Sequence, residues 1–146
     1  LRLNKSYRTT IEIMNEANKI NRLLGLDEAE AVIRHGDEVE YTNKDICDIL
    51  DINQQYGSVA IISKDGESAN MIYNFIKDKY EVSLIKPSNL SYNSKITVLP
   101  SYLSKGLEFD VVIVIDKDKY DVNNVLDMKL LYVSLTRALH KLYIKE

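Results

Sequence analysis

Residues 110–116, which read Asp-Val-Val-Ile-Val-Ile-Asp, limit the fold of this chain more than any other segment. Five apolar residues follow one another without a polar residue between them. A strand with one face in solvent alternates between apolar and polar residues, whereas a strand covered on both faces reads as a continuous apolar run. The segment therefore predicts a strand in the centre of a parallel sheet.

The rest of the chain alternates between short apolar runs and amphipathic stretches. The apolar runs predict strands over 58–63, 81–85, 95–100 and 141–145. Apolar residues at intervals of three or four predict helices over 7–25, 42–57, 64–80 and 123–140. Residues 29–43 resemble a hairpin, with its turn near Gly36 and Asp37. Strands that alternate with helices predict an α/β fold with a mainly parallel sheet.

The sequence also predicts local features of these helices. Thr9 or Thr10 is predicted to cap the first helix and Gly25 to end it, while Thr42 or Asn43 is predicted to cap the second. Several apolar side chains are predicted to face inward: Ala69, Ile72, Phe75 and Ile76 in the third helix, and Val125, Met128, Leu131 and Tyr132 or Leu135 in the last.

Composition excludes several classes of protein. The 146 residues are 45% hydrophobic, which suits one domain with its own core. A net charge of −3 argues against a protein that coats nucleic acid by charge alone. One cysteine, Cys47, and two histidines exclude an internal disulfide framework and disfavour a zinc site, so no metal site is predicted. Cys47 is expected to be a small buried residue, and His35 and His140 to be structural or solvent-facing.

Neither a membrane span nor a signal peptide is recognisable. No apolar run approaches the roughly 20 residues of a transmembrane helix, and the first ten residues are polar and basic. We therefore expect a cytoplasmic protein. The chain starts with Leu1, so we expect it to be a fragment of a longer protein.

The chain lacks a phosphate-binding loop of its own. Such a loop requires a glycine followed directly by a lysine, and none of the five glycines has a lysine after it. Asp116 follows the central apolar run, at the position where a nucleotide hydrolase has a magnesium-binding carboxylate. The next residue in such an enzyme would be a second carboxylate, but here it is Lys117. Asp116 is therefore interpreted as a strand-end residue.

Three segments resemble conserved helicase motifs. Residues 4–13 resemble motif IV of superfamily 1 helicases of the UvrD/Rep type, 104–114 resemble motif V, and 130–144 resemble motif VI. Their order and spacing cover nearly the whole chain. The resemblance implies that residues 1–146 form the second RecA-like motor domain of an ATP-dependent DNA helicase or translocase, with a three-layer α/β fold. The first motor domain would lie elsewhere in the protein.

The resemblance also implies roles for individual residues. In these motors ATP and Mg²⁺ lie between two RecA-like domains and are held mainly by the first one. By resemblance, Arg8 and Arg137 supply the catalytic guanidinium groups to the γ-phosphate, and such groups fork onto phosphate oxygens. Glu108 would contact the ribose side of the nucleotide, and Gly106 and Tyr7 would belong to the same nucleotide site. Gly106 is also expected to adopt a backbone conformation that other residues resist.

A nucleic-acid site is predicted on two loops. Relatives contact the DNA backbone at the position of residues 63–68, so Ser63 and Lys64 are candidates, although a polar turn explains the segment equally well. Tyr102 stands where UvrD-type motif V has a DNA-gripping histidine, and Lys105 follows in the same loop. The implied partners are single-stranded DNA, or duplex DNA with a single-stranded tail, and the first motor domain.

Two other functions are compatible with the sequence. UvrD-type enzymes insert a large helical subdomain before motif V, whereas only residues 86–94 separate two predicted strands here. This feature resembles the HelD-like branch, whose members remodel RNA polymerase. A degenerate interaction module without motor activity is the non-enzyme alternative, and the intact set of Arg8, Glu108 and Arg137 argues against it. No function in a membrane is implied.

Overall fold

The computed structural model describes residues 6–31 and 34–146 and has an α/β architecture. The strands are β1 Ser6–Tyr7, β2 Glu30–Ala31, β3 Glu40–Thr42, β4 Val59–Ser63, β5 Val82–Leu84, β6 Ile96–Pro100, β7 Phe109–Val114 and β8 Ala138–Lys145. The helices are α1 Ile11–Leu23, α2 Ile46–Ile52, α3 Gly66–Ile76 and α4 Val125–Leu135. Single 3-10 turns cover Ser101–Leu103 and Lys117–Lys119.

Six strands form one sheet in the order β3-β8-β7-β4-β6-β5, and every pairing within it is parallel. The two innermost strands are β7 and β4, as the continuous apolar run predicts. Residues 111–114 have no accessible surface. Burying one such side chain stabilises a fold by about 1.5–3 kcal/mol relative to leaving it exposed, so this strand anchors the sheet.

The two faces of the sheet support two separate cores. Val112 and Val114 pack with residues of α1 and α4 on one face. Val111 and Ile113 pack with residues of α2 and α3 on the other. Cys47 is half-buried at the second core, in α2. The predicted three-layer α/β fold is thus confirmed.

The first helix begins and ends where the sequence predicts. Thr10 has extended backbone angles, and its hydroxyl accepts a hydrogen bond from the Ile13 amide at 3.2 Å. Gly25 follows the helix with a φ of 69°, a left-handed conformation that glycine adopts without steric cost.

The predicted cap and extent of the second helix are wrong. Thr42 ends β3, and Asp45 caps α2 by accepting a hydrogen bond from the Cys47 amide at 2.8 Å. The helix ends at Ile52 rather than near Gly57. The Asp45 carboxylate can accept hydrogen bonds from the free amides of the first helical turn, whereas Thr42 belongs to β3 and lies too early in the chain to do so.

The predicted hairpin over 29–43 is also wrong, although residues 32 and 33 lie outside the described ranges. β2 pairs in parallel with β1 in a small separate sheet. β3 pairs in parallel with β8 at the edge of the main sheet. Alternation of apolar and polar residues indicates strands but does not identify their partners, and each of these strands pairs with one far away in sequence.

Two side chains predicted to face inward are exposed. Phe75 in α3 is 57% exposed and Val125 at the start of α4 is 56% exposed. Ala69 and Ile76 provide the fully buried apolar contacts of α3, and Phe75 lies beside Lys79, whose ammonium is 6.0 Å from the ring centroid. Val125 is the first residue of its helix.

Candidate functional site

A hydrogen-bonded loop connects β6 to β7 and forms the centre of the candidate site. The Ser104 hydroxyl donates to the Ser101 carbonyl at 2.7 Å, and the Leu107 amide donates to the Ser104 carbonyl at 3.1 Å. Gly106 has a φ of 84°, so the expectation of an unusual backbone conformation there is confirmed. We refer to residues 104–108 as the motif V loop.

Arg8 lies just before α1 and reaches the motif V loop through its side chain. Its Nη1 lies 3.1 Å from Glu108 Oε1, although the two residues are 100 positions apart in sequence. The side chains of Arg8 and Glu108 are 74% and 40% exposed. An ion pair in such a position contributes little to stability, so its guanidinium remains accessible to a ligand.

Arg137 reaches the same loop from the other end of the chain. It lies between α4 and β8, because α4 ends at Leu135 rather than continuing to residue 140 as predicted. Its Nη1 donates to the Leu107 carbonyl at 3.0 Å and its Nε donates to the Val133 carbonyl at 2.9 Å. Arg137 thereby ties the motif V loop to the last turn of α4.

The two arginines and Glu108 therefore meet at one loop, as predicted. Arg137 binds the main chain of Leu107 and Arg8 binds the side chain of the next residue. Both guanidinium groups are predicted to be exposed in one groove. Arg8 is exposed, whereas Arg137 is half-buried and bonded to carbonyl oxygens, so the predicted exposure is wrong for Arg137. The backbone of Tyr7 lies in β1 beside Arg8, and its side chain lies outside the described part of the structure.

The two predicted nucleic-acid loops lie next to each other. The Ser101 hydroxyl donates to the Lys64 carbonyl at 2.9 Å, which joins the loop after β6 to the turn after β4. Tyr102 is half-exposed and Lys105 is exposed. These two side chains are available to a ligand on that surface.

The other two nucleic-acid candidates have partners within the chain. Ser63 is fully buried, and its hydroxyl donates to the Asp65 carbonyl at 2.7 Å, so it does not present a hydroxyl to a phosphate. Lys64 Nζ lies 3.2 Å from Asp127 Oδ2. The Asp121 amide and then Lys64 lower the pKa of Asp127. These contacts fit the alternative interpretation of 63–68 as a polar turn.

Asp65 completes that turn as the cap of α3. Its Oδ1 accepts a hydrogen bond from the Ser68 amide at 2.9 Å. This bond lowers the pKa of Asp65. A carboxylate in this position stabilises the amino end of the helix and repels a phosphate there.

Comparison with known proteins gives one family match. Residues 95–144 match the UvrD-like helicase C-terminal domain. The matched range includes the motif V loop and Arg137, whereas Arg8 lies outside it. No curated protein matches the chain in sequence.

Solved structures show the same fold over nearly the whole chain. The C-terminal domain of a possible DNA helicase from Lactobacillus plantarum WCFS1 is similar, with a TM-score of 0.72 and 28% sequence identity over 95% of this chain and 86% of that chain. Methylated PRRSV nsp10, a helicase, has a TM-score of 0.50 and 18% identity over 97% of this chain and 23% of that chain. The latter shows the fold alone.

The described residues form neither a metal site nor a membrane span. Within 6–31 and 34–146, there is no group of three or more histidine, cysteine or acidic side chains that could hold a metal ion. Asp116 follows β7, and its Oδ2 lies 3.9 Å from Lys119 Nζ. None of the helices in these ranges has the length and hydropathy of a membrane span.

One residue beside the site carries no signal in the sequence. Arg34 lies between β2 and β3, where no motif or periodicity marks it. Its guanidinium donates to the carbonyl oxygens of Arg8 and Leu139, each at 2.6 Å. His140, predicted to be structural or solvent-facing, lies 2.9 Å from the same guanidinium through Nδ1. Only the folded chain brings these residues together.

Proposed function

We propose that this chain is the second motor domain of an ATP-dependent superfamily 1 DNA helicase or translocase. The observation that carries the proposal is the meeting of Arg8, Glu108 and Arg137 at the motif V loop. Two arginines more than 120 residues apart contact successive residues of one loop. The match over 95–144 and the fold shared with a possible DNA helicase support the same proposal.

The side chains at this loop suit one half of a nucleotide site. Arg8 carries an exposed guanidinium whose hydrogen-bonding partner among the described residues is a surface carboxylate. A guanidinium in such a position can fork onto phosphate oxygens. The chain has no glycine followed by lysine, so ATP would be held mainly by the first motor domain. Mg²⁺ would be held there too.

Each residue has a distinct task in this proposal. ATP supplies the phosphoryl group, whose charge spreads over its oxygens during transfer. Arg8 supplies positive charge from the surface of the domain. Arg137 supplies charge and also fixes the motif V loop through Leu107. Glu108 orients Arg8 and would accept a hydrogen bond from the ribose side, and Gly106 and Tyr7 are proposed members of the same nucleotide site.

Nucleic acid would bind on the adjoining surface. Tyr102 offers an exposed ring on which a base can stack, and Lys105 offers a charge to the phosphate backbone. Lys64 is available only if its pair with Asp127 opens. The proposed partners are DNA with a single-stranded segment and the first motor domain, in a cytoplasmic protein.

The short connection between β5 and β6 favours a second candidate. Residues 85–95 link the two strands directly, without an inserted helical subdomain. This arrangement is the feature that resembles the HelD-like branch. In this variant of the proposal, the same ATP-driven closure would remodel RNA polymerase instead of moving along DNA.

ATP hydrolysis by the full-length protein tests the proposal, measured with single-stranded DNA, with RNA polymerase and with neither. We expect Arg137→Ala to lower kcat per folded molecule by about 10³-fold or more, because such arginines contribute roughly 10³–10⁵ in related hydrolases. We expect a smaller loss from Arg8→Ala. Arg22→Ala is the matched control, since Arg22 pairs with Glu28 on the surface of the domain. Normal kcat in both site variants would refute the proposal, and stimulation by polymerase alone would favour the second candidate.

A further inference from the structure

Arg34 bridges the two chain segments that carry the candidate catalytic arginines. One nitrogen, Nη2, donates to the carbonyl of Arg8 itself and to the carbonyl of Leu139, two residues after Arg137, both at 2.6 Å. The other nitrogen, Nη1, lies 2.9 Å from Nδ1 of His140. Since a guanidinium only donates hydrogen bonds, Nδ1 accepts, and the proton of the neutral imidazole is on Nε2.

An irregularity in β8 makes these acceptors available. Phe109 pairs with Ala138 and Val111 pairs with Lys141, so the single residue Asp110 faces two residues, Leu139 and His140. A bulge of this kind leaves the extra residue without a ladder partner and redirects its side chain. Here the bulge directs the Leu139 carbonyl and the His140 ring to Arg34, and His140 Nε2 lies 3.7 Å from Asp110 Oδ1.

The segment that carries Arg34 is itself held against the start of α1. The Arg34 carbonyl accepts a hydrogen bond from the Ile11 amide at 2.9 Å. Glu12 binds His35 Nδ1 at 2.7 Å and the Gly36 amide at 2.8 Å. These two contacts lower the pKa of Glu12 to about 2. Contacts of Arg34 itself and of the two residues after it therefore hold its backbone against the start of α1.

We propose that Arg34 is a positioning residue that fixes the backbone of Arg8 relative to residues 137–140, the segment that carries Arg137. The inference rests on the proposed function, because it concerns the geometry of the same two arginines. Arg8 is exposed, and Glu108 alone would not hold it in one place. Arg34 instead fixes its backbone to β8, which is anchored in the sheet. Lysine could not replace Arg34, since a single ammonium lacks the planar fork that meets three acceptors.

Kinetics of the full-length protein tests this role. We expect Arg34→Ala to lower kcat for ATP hydrolysis by about tenfold to a hundredfold, because a displacement of about 1 Å at a catalytic group costs up to roughly that much. KM should change little, and Arg34→Lys should restore only part of the rate. In an Arg8→Ala background, Arg34→Ala should cause little further loss, since residues that act through one another are not additive.

A merely structural role would give a different pattern. Normal kcat in Arg34→Ala, or a loss that adds in full to that of Arg8→Ala, would overturn the proposal. Arg22→Ala is the control for removing a surface arginine from the same domain.

Hydrogen exchange of the 146-residue chain separates this inference from the proposed function. We expect faster backbone exchange in the peptide covering residues 6–13 of Arg34→Ala, and no change there in Arg22→Ala. Unchanged exchange in Arg34→Ala would overturn the positioning role, whether or not the protein hydrolyses ATP. Absence of ATP hydrolysis by the unaltered full-length protein would instead refute the proposed function. The hydrogen-exchange result would then still test whether Arg34 positions the backbone of Arg8.

Discussion

Three arginines near the motif V loop have the same chemistry but different surroundings. Arg8 is exposed and holds one carboxylate, while Arg137 is half-buried and donates to two carbonyl oxygens. Arg34 donates to two other carbonyl oxygens. Carbonyl oxygens at the end of a helix or in a bulge lack main-chain donors, and a guanidinium can donate to them instead. A guanidinium that pairs with a surface carboxylate does not take the place of a main-chain hydrogen bond. Arg137 and Arg34 therefore contribute to the fold, and Arg8 contributes mainly charge.

This difference predicts unequal effects on stability. Arg137→Ala should lower the free energy of unfolding by about 1.5–3 kcal/mol, because it removes charge-assisted hydrogen bonds from partly buried carbonyls. Arg8→Ala should change it by less than about 1 kcal/mol, as expected for an exposed ion pair. Urea denaturation of the 146-residue chain measures both, with Arg22→Ala as the exposed control. Equal losses for Arg8→Ala and Arg137→Ala would contradict the different surroundings described for them.

At the scale of elements, residues 34–36 have no regular structure but are held against the start of α1 by specific hydrogen bonds. A Cβ atom added at Gly36 would lie 2.5 Å from Cγ2 of Thr10, the cap of α1. The segment also delivers Arg34 to its acceptors. An irregular segment thus contacts both the start of α1 and the backbone of Arg8.

The close approach at Gly36 predicts a sensitive position. Gly36→Ala should destabilise the chain by about 1–3 kcal/mol, because Thr10 belongs to the helix cap and cannot move aside without losing its hydrogen bond. Gly66→Ala is the matched control. Gly66 is the first residue of α3, nothing lies within 4 Å of a Cβ added there, and alanine favours a helix more than glycine does. Thermal unfolding of both variants provides the comparison, and equal midpoints would contradict the predicted clash.

At the scale of the whole molecule, the fold presents charged groups at a surface without a phosphate loop beside them. Arg8, Glu108 and Arg137 belong to elements that are far apart in sequence, and the order of strands in the sheet brings them together. Their arrangement suits a ligand that is held by another domain. The domain would then act by closing over that ligand, and the motif V loop would connect the nucleotide side to the surface of Tyr102 and Lys105.

The isolated chain is therefore expected to hydrolyse no ATP. Half of the proposed nucleotide site is present, and no glycine-lysine loop in the chain can hold the phosphates. A phosphate-release assay on the purified 146-residue chain, with Arg137→Ala as the control for contaminating enzymes, measures this. Hydrolysis that persists through purification and disappears in Arg137→Ala would contradict the proposal that a second domain is required.

The sequence by itself determined the features that depend on local pattern. The apolar run at 110–116 identified the central strand, because burial on both faces leaves no room for polar alternation. Thr10 and Gly25 marked the ends of the first helix, since a cap and a left-handed glycine act within one turn. The three motif resemblances also selected the loop at which Arg8 and Arg137 meet.

Only the tertiary structure decided which distant groups became neighbours. β3 joined β8 instead of forming a hairpin, Ser63 became buried, and Arg34 reached the carbonyl of Arg8. Hydrophobic periodicity reports how deeply a residue is buried, but it contains no information on which strand lies beside another. The bulge at Leu139 and His140 depends on the register of two paired strands, which is a property of the pair and of neither sequence alone.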